Sequence, residues 1–263
     1  MKKTLLSILF ILSSFSNSQT TYNVPSDYNS IQEAVNNSQD GDVILIADGE
    51  YFEAVYLSGK SIDIIGESTE GTIINGSGII NEDVFSFGEA DEGEPITNGA
   101  SLSYLTIKSN NTSNTMGRSG ILVSNYAENV LIDNVIIENV SSSGNGAGIF
   151  MNYGASVTLQ NSVIRDNVSN MKGGGIIVAG QSTLNIINTQ INNNSAQDGG
   201  GIYIQEGSSS TINNSEISNN IATGGGYQNG GGVFIESSST ETNTIVNIEN
   251  SSILGEYGII NER

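Results

Sequence analysis

The chain has no cysteine and no histidine, and its 263 residues include only 8 lysines and arginines against 28 aspartates and glutamates. Without cysteine, neither a disulfide framework nor lipid attachment at a cysteine is available. The formal net charge of −20 argues against nucleic acid as a partner, since proteins neutralise phosphates with a basic surface. Aromatic residues make up only 6% of the chain, which is little for a globular core and suits a repeat protein.

Long hydrophobic runs are also missing, with one short exception at the start. The segment MKKTLLSILFILSSFSNSQT has two lysines, Lys2 and Lys3, before an apolar stretch from Leu5 to Leu12, followed by the small residues Ser16 and Ser18. This pattern predicts a secretory signal over residues 1–18. A membrane anchor would need an apolar span of roughly 20 residues, so we expect no transmembrane span and a protein of bacterial origin that is secreted, either extracellular or at the cell surface.

Two sets of residues at equivalent positions of successive repeats, which we call files, recur with one period along the chain. Glycines precede short apolar strands at steps of 28, 27, 26 and 31 residues, at Gly120, Gly148, Gly175, Gly201 and Gly232. Asparagines recur at steps of 27, 27 and 26 residues, at Asn134, Asn161, Asn188 and Asn214. A shared period in two independent files indicates a structural repeat.

Each repeat, for example GGGIYIQEGSSSTINNSEISNNIAT, contains short alternating strands separated by polar turns. If each repeat is one turn of a coil, every strand pairs in parallel with its counterpart one period later, about 4.8 Å away. The sequence therefore predicts an all-β fold, a parallel β-helix of about nine coils over residues 19–263. The glycines would permit a positive φ or a close backbone approach, and the asparagines would adopt left-handed conformations and bond to each other along the stack.

A short helix is expected before the first coils. Ser30 stands three residues ahead of Glu33, which is a capping-box pattern, and Ile31, Ala34 and Val35 share one face. A helix near residues 30–37 would cover the open N-terminal end, as solenoids require.

The segment from Ser30 to Ser68, SIQEAVNNSQDGDVILIADGEYFEAVYLSGKSIDIIGES, resembles the N-terminal cap and first coils of the pectin lyase-like superfamily. The later repeats, of the style ISNNxAxxGGGIYI, are similar to those of polymorphic outer-membrane proteins. The resemblance implies a single-stranded right-handed parallel β-helix and specifies chemistry poorly. The pectin-demethylating esterases of this superfamily carry their catalytic residues in segments of the QDTL, DFIFG and LGRPW types, which this chain lacks, so none of those residues can be assigned here.

Catalytic acids are not evident from the repeat either. An inverting glycosidase needs two carboxylates about 6.5–9.5 Å apart, whereas the aligned columns that contain Asp133, Glu138, Asp166 and Glu216 hold no second acid. We therefore expect no catalytic residues. The alternative is a Ca²⁺-assisted polyuronide lyase, whose base would be Arg118, Arg165 or Lys172. The same three residues could instead be solvated charges at the edges of coils.

One outward column is apolar. If the isoleucine after each glycine points inward, the next residue points outward, and in successive coils this position holds Leu122, Phe150, Ile177, Tyr203 and Phe234. This strip predicts a binding surface, either a sugar-stacking groove or a docking face; the ordinary preference of such residues for strands would also explain it.

Two further segments bear on partners. Glu89, Asp91, Glu92 and Glu94 are crowded together and could bind Ca²⁺, although they lack the spacing of known calcium loops, so we expect no obligatory cofactor. A strand restarts at Gly258, and the open edge of that coil predicts either self-association or a further C-terminal module. Taken together, the sequence favours a non-catalytic secreted or cell-surface protein that binds extracellular glycans or surface partners.

Overall fold

The computed structural model of the protein describes residues 18–88, 96–109, 118–224, 230–236, 243–254 and 259–262. The predicted signal up to residue 17, the acidic residues at 89–94 and Gly258 lie outside the described residues. The elements are β1 Thr21–Val24, α1 Ile31–Asn37, β2 Val43–Ile46, β3 Gly49–Tyr51, β4 Val55–Tyr56, β5 Asp63–Gly66, β6 Thr72–Asn75, β7 Phe85–Phe87, β8 Ser101–Lys108, β9 Ile121–Val123, β10 Val130–Glu138, β11 Ser141–Ser142, β12 Ile149–Met151, β13 Ser156–Gln160, β14 Val163–Arg165, β15 Val168–Ser169, β16 Ile176–Val178, β17 Thr183–Ile187, β18 Gln190–Asn192, β19 Ser195–Ala196, β20 Ile202–Ile204, β21 Ser209–Asn213, β22 Glu216–Ser218, β23 Ile221–Ala222, β24 Val233–Glu236, β25 Ile245–Glu249, β26 Ser252–Leu254 and β27 Ile259–Glu262.

These strands form a parallel β-helix, as the repeat predicts. Within the described ranges, every strand pairing is parallel and joins a strand to its counterpart in a neighbouring coil. The largest sheet follows the order β1-β2-β5-β8-β10-β13-β17-β21-β25, a second sheet has the order β27-β24-β20-β16-β12-β9-β7-β4, and a small third sheet has the order β11-β15-β19-β23. Nine of the fifteen strands of the largest sheet follow each other in this order among the described residues, in agreement with the predicted number of about nine coils.

The core lies inside the coil and is built from stacked branched aliphatic residues. In β13 and β21 partly buried and fully buried residues alternate, so that one side of each strand faces the interior. Leu159 pairs with Ile186, which pairs with Ile212, and all three are fully buried. Each such side chain contributes about 1.5–3 kcal/mol relative to an exposed one, and the repeat supplies one in every coil.

The predicted asparagine file forms a corner in each coil, within β10 at Asn134 and between two strands at the other three positions. Asn134, Asn161, Asn188 and Asn214 all have left-handed backbones, with φ of 54°, 51°, 49° and 51°. The Nδ2 of Asn188 donates to Oδ1 of Asn161 at 2.7 Å, and the Nδ2 of Asn214 donates to Oδ1 of Asn188 at 3.4 Å. The predicted left-handed turn is confirmed at all four positions and the amide stack at the last three, since Nδ2 of Asn161 and Nδ2 of Asn134 both donate to Oδ1 of Asp133.

A second asparagine ladder lies in the interior, and the sequence analysis missed it. Asn167, Asn194 and Asn220 are buried, and Oδ1 of Asn194 accepts from the backbone N of Asn167 at 3.1 Å while Oδ1 of Asn220 accepts from the N of Asn194 at 2.9 Å. Each Nδ2 also donates to a backbone carbonyl of the neighbouring coil at 2.8–3.0 Å. Because a buried amide without partners would cost about 1–3 kcal/mol, this pairing keeps the polar interior corner stable.

The glycine runs serve both predicted purposes at different positions. Gly173 and Gly199, the first members of their triplets, have φ of 65° and 63°. Gly175, the third member, has no left-handed backbone, but a Cβ placed on it would lie 2.6 Å from the carbonyl oxygen of Gly201 in the next coil. A side chain there would separate the coils, so the file holds glycine.

The capping helix is confirmed at Ile31–Asn37. Ser30 is its N-cap and accepts from the backbone N of Glu33 at 3.1 Å, and the face of Ile31, Ala34 and Val35 is buried. Lys60 donates from Nζ to the carbonyl of Val35 at 2.6 Å at the other end of the helix, and burial lowers the pKa of this lysine below its usual value. Among the described residues, no helix is long and apolar enough to cross a membrane.

Candidate functional site: a cleft on the eight-stranded sheet

The predicted outward column exists in register. Leu122 pairs with Phe150, Phe150 with Ile177, Ile177 with Tyr203, and Tyr203 with Phe234 along the eight-stranded sheet. None of the five belongs to the interior core cluster, so the column does point away from the interior. It is not an exposed strip, however, because Leu122, Ile177, Tyr203 and Phe234 have only 7%, 3%, 1% and 3% of their surface accessible.

The column divides into two parts. Ile177, Tyr203 and Phe234, which we name the closed half, form a small packed cluster with Ala179, and the partly buried Phe150 packs against it. The rings of Tyr203 and Phe234 stack at a centroid distance of 5.1 Å and an interplanar angle of 18°. The glycine turn before β20 lies close against the column, since a Cβ placed on Gly199 would lie only 2.8 Å from the Cβ of Tyr203. These three residues were expected to bind a ligand, but almost none of their surface is accessible to one.

Lys172 covers Tyr203 of the closed half. Its Nζ lies 2.5 Å from the hydroxyl of Tyr203, 4.5 Å from the centroid of that ring and 3.5 Å from Oε1 of Glu236. The ammonium is thus engaged by a hydroxyl, an aromatic face and a carboxylate at once. Lys172 therefore covers the ring of Tyr203. With its ammonium engaged in these contacts, it is poorly placed to remove a proton from a substrate.

Leu122 and Phe150 form the open half, where the column borders a cleft. The cleft has a volume of about 680 Å³ and is lined by Asp83, Arg118, Ser119, Leu122, Ser124, Asn125, Ser142, Ser143, Gly144, Asn145, Phe150, Asn152, Tyr153 and Met171. Phe150 is half-buried, and Tyr153 and Met171 are 59% and 47% exposed. An apolar floor with amide and hydroxyl groups around it is the usual composition of a small-molecule site.

Arg118 and Asp83 supply the charge of the cleft. Nη1 of Arg118 lies 3.6 Å from Oδ2 of Asp83, and Oδ1 of the same carboxylate accepts from the backbone N of Ser119 at 2.6 Å. Asp83 is buried, whereas about half of the arginine side chain is exposed. The pair leaves the cleft close to neutral, with the guanidinium reaching towards solvent.

The three basic candidates do not meet in one site. Arg165, on β14 of the largest sheet, is bound by Glu138, whose Oε2 accepts from Nε at 2.7 Å and lies 2.6 Å from Nη2. Lys172 belongs to the closed half, and of the three only Arg118 lines the cleft. In the part of the chain that the structure describes, no group of three or more acidic side chains is positioned to hold a metal ion.

Another concavity follows the asparagine corner. It has a volume of about 590 Å³ and is lined by polar side chains only, namely Asn188, Thr189, Gln190, Asn214, Ser215, Glu216, Asn250, Ser251 and Ser252. Its amides are already bonded to each other along the stack. Because it has no apolar floor, it is a weaker candidate for ligand binding than the cleft.

Sequence reasoning missed the other residues of the cleft. The turns that follow β9 and β12 of the eight-stranded sheet contain Asn125, Asn152 and Tyr153. Met171 lies in the loop before β16. The signal for the turn residues was present, since SNYA at 124–127 and MNYGA at 151–155 share an Asn-Tyr pair that later repeats lack.

Comparison with known proteins identifies the fold. The family model described as "Right handed beta helix region" matches residues 96–261. Similar solved structures include a pectin methylesterase from Yersinia enterocolitica, with a TM-score of 0.51 and 10% identity over 90% of this chain and 94% of that one. Another is a pectin methylesterase in complex with hexasaccharide VII, with a TM-score of 0.50 and 10% identity over 83% of this chain and 80% of that one.

No curated protein sequence matches the chain. At 10% identity the two structural similarities establish the fold alone, and that fold is the right-handed parallel β-helix expected from the resemblance to the pectin lyase-like superfamily. Since the family model spans more than half of the residues, the chain belongs to the right-handed β-helix family.

Proposed function

We propose that the protein is a secreted or cell-surface glycan-binding protein without catalytic activity, and that the cleft at Leu122 and Phe150 holds the glycan. The observation that carries the proposal is the composition of the cleft, in which an apolar floor is surrounded by the amides of Asn125, Asn145 and Asn152. A sugar ring has apolar C–H faces and a rim of hydroxyls. The floor would contact the faces, and the amides, which both donate and accept, would bind the hydroxyls.

The charge of the protein favours a neutral glycan. The net charge is −20, and the arginine of the cleft is already paired with Asp83. A polyuronide would bring one carboxylate per sugar unit towards this acidic protein. The two negative charges would repel each other, most strongly at low salt, where screening is weak. A neutral polysaccharide meets no such cost.

The experiment is isothermal titration of residues 19–263 with cellohexaose, xylohexaose and hexagalacturonate, each without and with Ca²⁺. We expect saturable binding of a neutral oligosaccharide, weakened about tenfold by Phe150→Ser, as for a central contact residue. Phe52→Ser is the matched control, because Phe52 is 64% exposed and lies outside the cleft. Equal affinity of both variants, or no binding by the unaltered protein, would contradict the proposal.

A Ca²⁺-assisted polyuronide lyase is the second candidate, and the position of Arg118 favours it. Its guanidinium is partly exposed and lines a cleft large enough for a sugar, so it could serve as the base in β-elimination. Formation of an unsaturated product from hexagalacturonate with Ca²⁺, abolished by Arg118→Ala, would establish this function over the first. Arg165→Ala and Lys172→Ala would leave that product unchanged, since neither residue lines the cleft.

A further inference from the structure

Four strands of the eight-stranded sheet, β4, β9, β12 and β16, are each followed by a two-residue turn with a left-handed backbone. The φ angles of these turn residues all lie between 50° and 80°, at Ser58 and Gly59, Asn125 and Tyr126, Tyr153 and Gly154, and Gly180 and Gln181. Glycine and asparagine adopt this conformation readily, whereas bulky side chains crowd their own backbone in it. Tyrosine at two of these positions is therefore unexpected.

Tyr126 and Tyr153 do not gain burial in return for this conformation. They are 60% and 59% exposed, so little of either ring is withdrawn from water. Strained backbone positions cluster at ligand-binding sites, so these two tyrosines are candidates for a binding role where they also lie beside a cleft.

The two tyrosines are neighbours across adjacent coils; Tyr153 lines the cleft, and Tyr126 lies beside it, between the lining residue Asn125 and Ala127. The backbone N of Tyr126 donates to the carbonyl of Tyr153 at 2.8 Å, and Tyr153 itself lines the cleft. Gly154 leaves room for the first ring, since a Cβ placed on it would lie 2.7 Å from Cδ1 of Tyr126. The sequence thus combines an exposed ring in one coil with the absence of a side chain in the next.

We propose that Tyr126 and Tyr153 form the sugar-stacking platform of the cleft, and that its ligand is a neutral polysaccharide whose pyranose rings present flat C–H faces. This inference rests on the proposed glycan-binding function and adds the residues that select the ligand class. The face of an aromatic ring carries a partial negative charge and attracts polarised C–H groups. A β-1,4-linked glucan has all of its hydroxyls equatorial, so both faces of each ring are C–H surfaces that fit such a platform.

Tyr104 provides a matched control within the chain. It is also left-handed, with φ of 56°, and it is 45% exposed. The pairing of Ser103 with Asp133 and of Leu105 with Val135 places it at the asparagine corner, opposite Asn134. It lies on β8 of the largest sheet and not on the eight-stranded sheet that carries the cleft, so it has the same backbone conformation without the proposed role.

The test compares Tyr126→Asn, Tyr153→Asn and Tyr104→Asn by titration with cellohexaose and by thermal unfolding. Asparagine suits the left-handed backbone, so we expect all three variants to keep or raise Tm, by up to about 2–4 °C. We expect Tyr126→Asn and Tyr153→Asn each to weaken cellohexaose binding about tenfold, and Tyr104→Asn to leave it unchanged.

The outcomes separate this inference from the proposed function. Unchanged affinity in Tyr126→Asn and Tyr153→Asn, together with weakened binding in Phe150→Ser, would overturn the platform and leave the glycan-binding function standing. Loss of affinity accompanied by a fall in Tm would also overturn it, because the tyrosines would then be structural. Failure of the unaltered protein to bind any neutral oligosaccharide would overturn both.

Discussion

The closed and open halves of one outward column differ in access although they share one register. Tyr203 and Phe234 are nearly inaccessible, with Lys172 over the ring of Tyr203, whereas Phe150 and Leu122 border a cleft of about 680 Å³. The stacking of coils sets the direction in which these side chains point, and this direction is the same in both halves. The turns and the lysine beside the sheet decide which of them a ligand can reach.

The largest effect expected from this difference is on stability, in the closed half. Tyr203→Ala should lower the free energy of unfolding by about 3–5 kcal/mol, as for other large-to-small changes of packed aromatics, because it removes the partner of Phe234 and leaves a cavity. Urea denaturation followed by circular dichroism measures this. A loss below about 1 kcal/mol, typical of an exposed side chain, would show that the closed half is not packed.

A smaller stability effect is expected in the open half. Phe150→Ala should cost about 1–2 kcal/mol, since its half-buried side chain gives up less apolar contact than a fully buried one. The same denaturation experiment applies, with Tyr203→Ala beside it. The comparison between the halves would fail if Phe150→Ala were the more destabilising of the two.

The smallest effect concerns Lys172, which covers Tyr203. Lys172→Ala should cost about 0.5–1 kcal/mol, because a partly exposed ion pair and cation–π contact contribute little. It should also uncover Tyr203 and increase the binding of a hydrophobic dye such as anilinonaphthalene sulfonate. Unchanged dye binding would mean that the turns alone close this half.

The periodic part of the molecule could be predicted from the sequence. The glycine file, the left-handed asparagine corner and the capping helix at Ile31–Asn37 follow from spacing and local chemistry, because each coil repeats the same local requirement. The register of the outward column followed from the same period. These features depend on few distant contacts, so a single sequence contains them.

Two features could not be predicted in this way. Asn167, Asn194 and Asn220 lie directly after left-handed residues, Asp166, Asn193 and Asn219, and the direction of a side chain after such a turn cannot be read from simple alternation. In a chain so rich in asparagine, buried and exposed members of consecutive pairs look alike. The burial of Ile177, Tyr203 and Phe234 depends on how turns such as that at Gly199 fold over the sheet, and the period of the strands carries no information on that.

The most direct test of the central claim is a crystal structure of the protein with cellohexaose. The account predicts sugar rings over Leu122 and Phe150, with their faces against Tyr126 and Tyr153 and their hydroxyls bonded to the amides of the cleft. Sugar bound instead along the asparagine corner at Asn188 and Asn214, with the cleft empty, would contradict it.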